Sequence, residues 1–141
     1  MAQQILIIDA DPVAGAVTGA LVRRIAPDAT VAVEPTPYHG WLHAQRHSPD
    51  VLIIDPVPVS AGVLVIGLCR EQNANLRVVV LTFVATPSLQ RHLQPLGIDV
   101  YVAKPIASVH LVDQLRSVLT EAVQPASQVE DPADRRAAQP A

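Results

Sequence analysis

Four residues with chemically active side chains stand at the ends of four short apolar runs. The runs are residues 5–8 before Asp9, residues 51–54 before Asp55, residues 78–81 before Thr82 and residues 100–103 before Lys104. Together these residues supply two carboxylates, one hydroxyl and one ammonium, a combination that can bind a charged ligand. Such a site exists only if the fold brings the four side chains together.

The runs themselves predict a fold that does so. Short β-branched runs without polar alternation are typical of strands buried on both faces, as in a parallel sheet covered by helices. In that kind of sheet the carboxyl ends of the strands lie along one edge, and ligands bind there. We therefore expect Asp9, Asp55, Thr82 and Lys104 to converge at one edge.

Five strands alternate with five helices along the chain. We expect strands at residues 4–8, 29–33, 51–54, 77–82 and 99–103, and helices near residues 12–25, 37–47, 62–72, 87–94 and 107–122. This alternation predicts a doubly wound α/β fold of three layers, because right-handed crossovers place helices on both faces of the sheet.

Three of the helix starts carry a capping residue followed by proline. They are Asp11-Pro12, Thr36-Pro37 and Thr86-Pro87. In the first helix an apolar residue recurs every fourth position, and we expect that stripe to pack on the sheet. Its members are Val13, Val17, Leu21 and Ile25.

Composition limits the classes of function. The formal charge of −3 and the scattered basic residues argue against a nucleic-acid surface. No apolar stretch reaches the length of a membrane span, and the start lacks the basic region of a signal peptide. The single Cys69 fits a reducing compartment and is expected in the core of the third helix. We therefore expect a cytoplasmic protein without membrane contact.

The composition changes near residue 123. From there proline, alanine, glutamine and mixed charge replace the apolar pattern, which is typical of disorder. The sequence thus predicts one folded domain over residues 1–122 and a disordered tail or linker over residues 123–141.

With these residues at four strand ends, the chain resembles the receiver domain of bacterial two-component response regulators, the CheY-like family. The resemblance covers residues 5 to about 119. Its most specific part is residues 97–105, which match the family pattern Gly-x-x-x-Tyr-x-x-Lys-Pro. The resemblance implies a flavodoxin-like fold, a three-layer α/β/α arrangement whose five-stranded parallel sheet has the order 2-1-3-4-5.

The resemblance also implies roles for the residues at the strand ends. Asp55 would accept a phosphoryl group and form an aspartyl phosphate. Asp9 and Asp55, with the backbone carbonyl of Val57, would hold Mg²⁺. Lys104 and Thr82 would contact the phosphoryl oxygens.

A second group of roles concerns the output of the signal. Thr82 and Tyr101 would form the switch that reports phosphorylation to the surface, although Tyr101 is also readable as an ordinary half-buried strand aromatic. The peptide bond before Pro105 would be cis. The face built from the fourth helix, fifth strand and fifth helix would contact an unknown downstream protein or a second copy, a homodimer.

Three departures from the family pattern affect the site. Ala10 stands where receivers have a second acid, so Mg²⁺ binding is expected to be weakened. The loop from Asp55 to Gly62 is one residue shorter than usual and carries two prolines, which puts the Val57 carbonyl in doubt. Phe83 replaces the usual small residue after Thr82 and would hinder access to Asp55.

Two functions follow as hypotheses. The first is phosphorelay signalling, in which a histidine kinase or phosphotransfer protein phosphorylates Asp55; the only catalysis would be self-phosphorylation and dephosphorylation. The second, motivated by Ala10, the short proline-rich loop and Phe83, is a pseudo-receiver that binds a partner independently of phosphorylation. Lys104 also has a purely structural interpretation, in which it neutralises Asp55 in a permanent salt bridge. A flavodoxin-like enzyme is disfavoured because the first strand lacks a phosphate-cradling loop.

The second helix offers a different kind of site. His39, His43 and His47 recur at four-residue steps, a spacing at which imidazoles bind Zn²⁺. No acid or cysteine lies near them on that helix, so a solvated face is the preferred interpretation.

Overall fold

The computed structural model describes residues 2–123, and for residues 120–123 only the backbone. Its five strands are β1 (Gln4–Ile8), β2 (Thr30–Glu34), β3 (Val51–Ile54), β4 (Arg77–Thr82) and β5 (Val100–Ala103). They form one parallel sheet in the order β2-β1-β3-β4-β5. The predicted topology is confirmed, and the predicted strand bounds are correct to within one residue. The predicted tail over residues 123–141 lies outside the described residues apart from Val123.

The helices cover both faces of the sheet. They are α1 (Pro12–Ile25), α2 (Pro37–Arg46), α3 (Val59–Gln72), α4 (Pro87–Leu93) and α5 (Ser108–Val123), with a 3-10 turn at Gln94–Leu96 after α4. Helices α1 and α5 share one apolar core with the sheet, and α2, α3 and α4 share the other. No helix in the described part of the chain is long and apolar enough to cross a membrane.

Successive side chains of each central strand point alternately into these two cores. In β1, Ile5 and Ile7 pack on the side of α1 and α5, while Leu6 and Ile8 pack on the side of α2 and α3. Each of these side chains is almost completely buried, which explains why the strand has no polar alternation. Cys69 is fully buried in α3, as predicted, and burial raises its pKa to about 11.

The capping residues stand where the sequence predicts them. The Asp11 carboxylate accepts the backbone N–H groups of Val13 and Ala14, and the hydroxyls of Thr36 and Thr86 cap α2 and α4 in the same way. Helix α3 differs, since it begins at Val59 rather than Gly62. Its N-cap is Pro58 and no side chain caps it.

The predicted apolar stripe of α1 is wrong at its first half. Val13 and Val17 are 70% and 47% exposed, whereas Gly15 and Gly19 are buried against Val33 of β2. A Cβ atom at Gly15 would stand 3.0 Å from a methyl carbon of Val33. The helix therefore rests on its glycines, because the absence of side chains allows its backbone to approach the sheet closely.

Two aspartates fix neighbouring strands at the amino edge of the sheet. Asp50, before β3, accepts the N–H of Gln4 at 2.7 Å, and Asp99, before β5, accepts the N–H of Val78 at 2.7 Å. The Asp50 carboxylate thus satisfies the first donor of β1 and the Asp99 carboxylate the second donor of β4, whose first donor, the N–H of Arg77, goes to the Asp50 carbonyl. These bonds hold the strand register on the side opposite to Asp9 and Asp55.

Candidate functional site

The backbone ladders continue past the strand ends and position the polar residues. The N–H of Asp9 donates to the Glu34 carbonyl at 3.1 Å, and that of Asp55 donates to the Ile8 carbonyl at 2.9 Å. The N–H of Lys104 donates to the Thr82 carbonyl at 2.9 Å. The four residues consequently lie side by side along the carboxyl edge of the sheet.

Lys104 joins the two carboxylates. Its Nζ donates to Asp9 Oδ2 at 2.8 Å and to Asp55 Oδ2 at 3.1 Å. The side chains of Lys104, Asp9 and Asp55 are only 8%, 6% and 14% exposed, so the contact is shielded from solvent. Two carboxylates and one ammonium leave this cluster, named the acidic pocket below, with a formal charge of −1.

The pocket keeps Lys104 charged. Burial by itself would lower the pKa of the ammonium, but the hydrogen bonds to Asp9 and Asp55 and the charges of these carboxylates outweigh burial and raise the pKa overall. Lys104 is therefore charged at neutral pH.

The second oxygens of the two carboxylates differ. Asp9 Oδ1 accepts the N–H of Asp11 at 2.9 Å. Asp55 Oδ1 is buried, and no hydrogen-bond partner reaches it from the described part of the chain. A buried carboxylate oxygen without a donor is costly. It is the kind of hard ligand that Mg²⁺ prefers, so the residues present fit that ion.

The surroundings of the pocket agree with the departures seen in the sequence. Ala10 is exposed, and the carboxylate of the neighbouring Asp11 is engaged as the helix cap. Only two acids therefore meet here, and no group of three or more histidines, cysteines or acids forms a metal-binding cluster among residues 2–119.

The loop after Asp55 is tightly turned. The N–H of Val57 donates to the Asp55 carbonyl at 2.8 Å, and Val57 itself is exposed. The peptide bond between Val57 and Pro58 is cis, which the sequence reasoning did not anticipate, and the bond between Lys104 and Pro105 is cis, as expected. The structure thus places Val57 beside the pocket, in the turn that follows Asp55.

Thr82 and Tyr101 occupy different surroundings. Thr82 is buried beside Lys104, and its hydroxyl accepts the N–H of Val84 at 3.1 Å. Tyr101 is half-buried in β5, where it packs against the core on the side of α4, and burial raises its pKa. It lines a surface cavity of about 490 Å³ together with residues of α4 and of the turn before β5, among them Arg91 and Ile98.

Phe83 lies at the pocket rather than away from it. Its side chain is 66% exposed, and Lys104 Nζ stands over its ring at 5.2 Å from the centroid. Sequence reasoning placed Phe83 in the path to Asp55 but did not foresee this contact with Lys104. A side-chain rotamer decides the contact, and no sequence pattern reports it.

The histidines of α2 make other contacts. The ring of His39 is hydrogen-bonded to the Thr36 hydroxyl at 2.7 Å, and His43 Nδ1 lies 3.8 Å from Glu34. The rings of His43 and His47 are 5.2 Å apart. The acid near His43 comes from β2, which a reading of the helix alone does not show.

The family profile described as response regulator receiver domain matches residues 5–116, most of the chain. The chain belongs to this family. Receiver domains are signalling modules of two-component systems, which interact with histidine kinases and phosphotransfer proteins and typically bind Mg²⁺ at an acidic pocket. They are in general not enzymes. No curated protein matches the sequence.

Solved structures of receiver domains share the fold. A CheY-like receiver domain protein from Methanospirillum hungatei JF-1 is 17% identical and has a TM-score of 0.77, with 89% of this chain and 99% of that chain covered. The N-terminal domain of an uncharacterized protein from Wolinella succinogenes is 22% identical with a TM-score of 0.74, covering 86% and 98%.

A third neighbour carries a modified site. It is a response regulator protein from Burkholderia pseudomallei with a phosphorylated aspartic acid, a calcium ion and citrate. It is 20% identical, with a TM-score of 0.70, and the match covers 94% of this chain and 74% of that chain. These low identities show the fold alone.

Proposed function

We propose that this receiver domain accepts a phosphoryl group on Asp55 from a histidine kinase or a phosphotransfer protein. The observation that carries the proposal is the state of the Asp55 carboxylate, whose Oδ2 is held by Lys104 while its buried Oδ1 has no hydrogen-bond partner within the described part of the chain. A carboxylate oxygen would attack phosphorus, the bond from phosphorus to the donor would break, and an aspartyl phosphate would form.

The remaining pocket residues would support this transfer. Lys104, a point charge, would follow the phosphoryl oxygens, and the Thr82 hydroxyl would donate to one of them. Asp9, Asp55 and the carbonyl of Val57 would hold Mg²⁺, which when bound neutralises charge on the phosphoryl group. With Ala10 in place of a second acid, we expect weak Mg²⁺ binding.

Thr82 and Tyr101 would transmit the phosphorylation state of Asp55 to the protein surface. Tyr101 lines the cavity beside α4, so a change in its rotamer would alter the face of α4, β5 and α5 that a downstream protein or a second copy contacts. Among residues 108–119 of α5, the exposed large apolar side chain is Val109, because Leu111, Leu115, Val118 and Leu119 are buried in the core. The setting we propose is cytoplasmic, with neither nucleic acid nor membrane as a partner.

Intact-protein mass after incubation with acetyl phosphate tests the acceptor. We expect a phosphoryl adduct that requires Mg²⁺ and is absent from Asp55→Asn. The matched control is Asp28→Asn, because Asp28 is an exposed aspartate between α1 and β2. An adduct that persists in Asp55→Asn would refute the assignment. A folded protein without any adduct would instead fit the pseudo-receiver, which binds its partner unphosphorylated.

A further inference from the structure

Two histidines at the end of α2 lie side by side. The rings of His43 and His47 have centroids 5.2 Å apart and an interplanar angle of 40°. The backbone N–H of His47 donates to the His43 carbonyl at 2.9 Å, so a helical hydrogen bond keeps the two residues one turn apart. His47 is exposed and the side chain of His43 is 24% exposed. Both rings are therefore accessible to a dissolved ion.

The ring separation fits one metal ion bound to a nitrogen of each imidazole. A metal–nitrogen bond of about 2.0–2.1 Å places the ion about 3.2 Å from the centre of an imidazole ring. Two ring centres 5.2 Å apart then correspond to an angle of about 110° at the metal, close to the tetrahedral value. Rotation of the rings about their side-chain bonds is enough to turn one nitrogen of each toward the ion.

A carboxylate from the neighbouring strand stands beside one of the imidazoles. Oε2 of Glu34, the last residue of β2, lies 3.8 Å from His43 Nδ1. A carboxylate at this nitrogen favours the tautomer that has its proton there, which leaves Nε2 with a lone pair for a metal. The sequence alone favours a solvated face because α2 carries no acid near its histidines, whereas the structure supplies the acid from β2.

The third histidine of α2 is engaged in the helix cap. His39 Nδ1 is hydrogen-bonded to the Thr36 hydroxyl at 2.7 Å, and the backbone N–H of His39 donates to the same oxygen at 3.0 Å. Its ring stands edge-on to that of Tyr38, with the centroids 5.7 Å apart. His39 thus has the same four-residue spacing from His43 as His47 has, but a different set of contacts.

We propose that His43 and His47 form a binding site for a divalent transition-metal ion, Cu²⁺, Ni²⁺ or Zn²⁺, with Glu34 as a positioning residue beside His43. Water completes the coordination, because two imidazoles are the ligands that the described residues supply. We expect a dissociation constant on the order of 10 µM for Cu²⁺, with weaker binding of Ni²⁺ and Zn²⁺. The inference is independent of the acceptor role of Asp55.

The ligands separate this site from the acidic pocket. Imidazole suits Cu²⁺, Ni²⁺ and Zn²⁺, whereas the carboxylates of the acidic pocket suit the hard cation Mg²⁺. An ion that joins both imidazoles also stabilises the folded chain, because the unfolded chain does not hold the two rings together. Occupancy of the site is therefore coupled to the stability of the last turn of α2.

A fluorescence titration of the full, tag-free chain with Cu²⁺ tests the site. Trp41 is the only tryptophan in the sequence and stands two residues before His43, so Cu²⁺ bound at the site should quench its emission. His43→Ala and His47→Ala should each weaken Cu²⁺ binding about a hundredfold, because one imidazole then holds the ion alone. The matched control is His39→Ala, which should bind within about twofold of the native protein, and excess Mg²⁺ should not compete.

The role of Glu34 has its own readout. Glu34→Gln should weaken Cu²⁺ binding about tenfold, the lower end of the effect of a residue behind a metal ligand. In protein labelled with ¹⁵N-histidine, the same substitution should change the tautomer of the His43 ring without changing the thermal unfolding temperature. Zn²⁺ should shift the ring nitrogen signals of His43 and His47 in the native protein and leave those of His39 in place.

Three outcomes would overturn the proposal. Equal Cu²⁺ affinity in the native protein, His43→Ala and His47→Ala would place the ion elsewhere in the molecule. Binding lost in His39→Ala, together with a Zn²⁺ shift of the His39 ring, would overturn the pairing of His43 with His47. Native protein that shows no saturable quenching and no histidine shifts up to about 1 mM metal has no such site.

Discussion

Replacing Lys104 by Met should destabilise the fold strongly, because it leaves two buried carboxylates without their shared cation. Asp9 and Asp55 are 6% and 14% exposed, so solvent compensates little of the lost charge pairing. Breaking a buried ion pair by removing one partner costs about 3–5 kcal/mol. Domains of this size have a free energy of unfolding of about 5–15 kcal/mol, so the variant should still fold but with a small margin.

Urea unfolding followed by circular dichroism measures this cost. With an m-value of about 2 kcal/mol/M, the expected loss lowers the unfolding midpoint by about 1.5–2.5 M. The control is Arg91→Met, which removes an exposed cation from α4 and should change the free energy of unfolding by less than about 0.5 kcal/mol.

The effect of Mg²⁺ on the stability of Lys104→Met provides a second test of the same prediction. In Lys104→Met the ion no longer competes with an ammonium for Asp9 and Asp55, so added Mg²⁺ should restore stability. An ion present at about a hundredfold excess over its dissociation constant contributes about 2.7 kcal/mol. If the free energy of unfolding of Lys104→Met lies within about 1 kcal/mol of the native value, the view that Lys104 stabilises the pocket is refuted.

Three further predictions follow. Ala10→Asp should tighten Mg²⁺ binding by about tenfold or more in a Mg²⁺ titration, because it adds a carboxylate where only two acids meet; unchanged affinity would locate the defect in the loop after Asp55. Gly62→Ala should lower the free energy of unfolding, measured by thermal unfolding, by about 1–3 kcal/mol, since the added Cβ would stand 2.6 Å from Pro56 Cα. The control is Gly67→Ala, whose added Cβ has its nearest contact at 3.8 Å, and it should leave the free energy of unfolding unchanged or raise it. Cys69 should resist thiol reagents in the folded protein, and rapid labelling at pH 8 would contradict this. Because burial raises its pKa from the ordinary 9.0 to about 11, the contribution of Cys69 to the free energy of unfolding should be fully present below pH 9 and be lost between pH 9 and 11.

The strand order and the meeting of Asp9, Asp55 and Lys104 could be predicted from sequence, because parallel strands end at one edge and their runs are continuous. The helix caps could be predicted for a similar reason. Asp11, Thr36 and Thr86 each act on donors two or three residues away, so their effect is local.

The packing of α1 could not be predicted from hydrophobic spacing. That method counts Val13 and Val17 as core and gives glycine no weight, yet Gly15 and Gly19 make the close contacts with Val33. The decisive quantity is the distance between the helix backbone and the sheet, which depends on residues of β2 far along the chain.

The start of α3 and the Phe83 contact escaped prediction for other reasons. The predicted start of α3 was Gly62, beyond the two prolines that follow Asp55, but Pro58 is compatible with an N-cap position and the helix begins directly after it. Phe83 contacts Lys104 across a sequence separation of 21 residues, so only the three-dimensional arrangement reveals it.

The presence of a single lysine, enclosed between two carboxylates and an aromatic ring, has a consequence for covalent modification. Every other basic side chain in the sequence is arginine or histidine. Acylation of a lysine removes its positive charge, and in most proteins that event is spread over many surface positions. Here it can occur at one side chain only, so a lysine-acylating reagent that penetrates the pocket converts its charge from −1 to −2 in a single step and leaves the side chains of the rest of the surface unchanged.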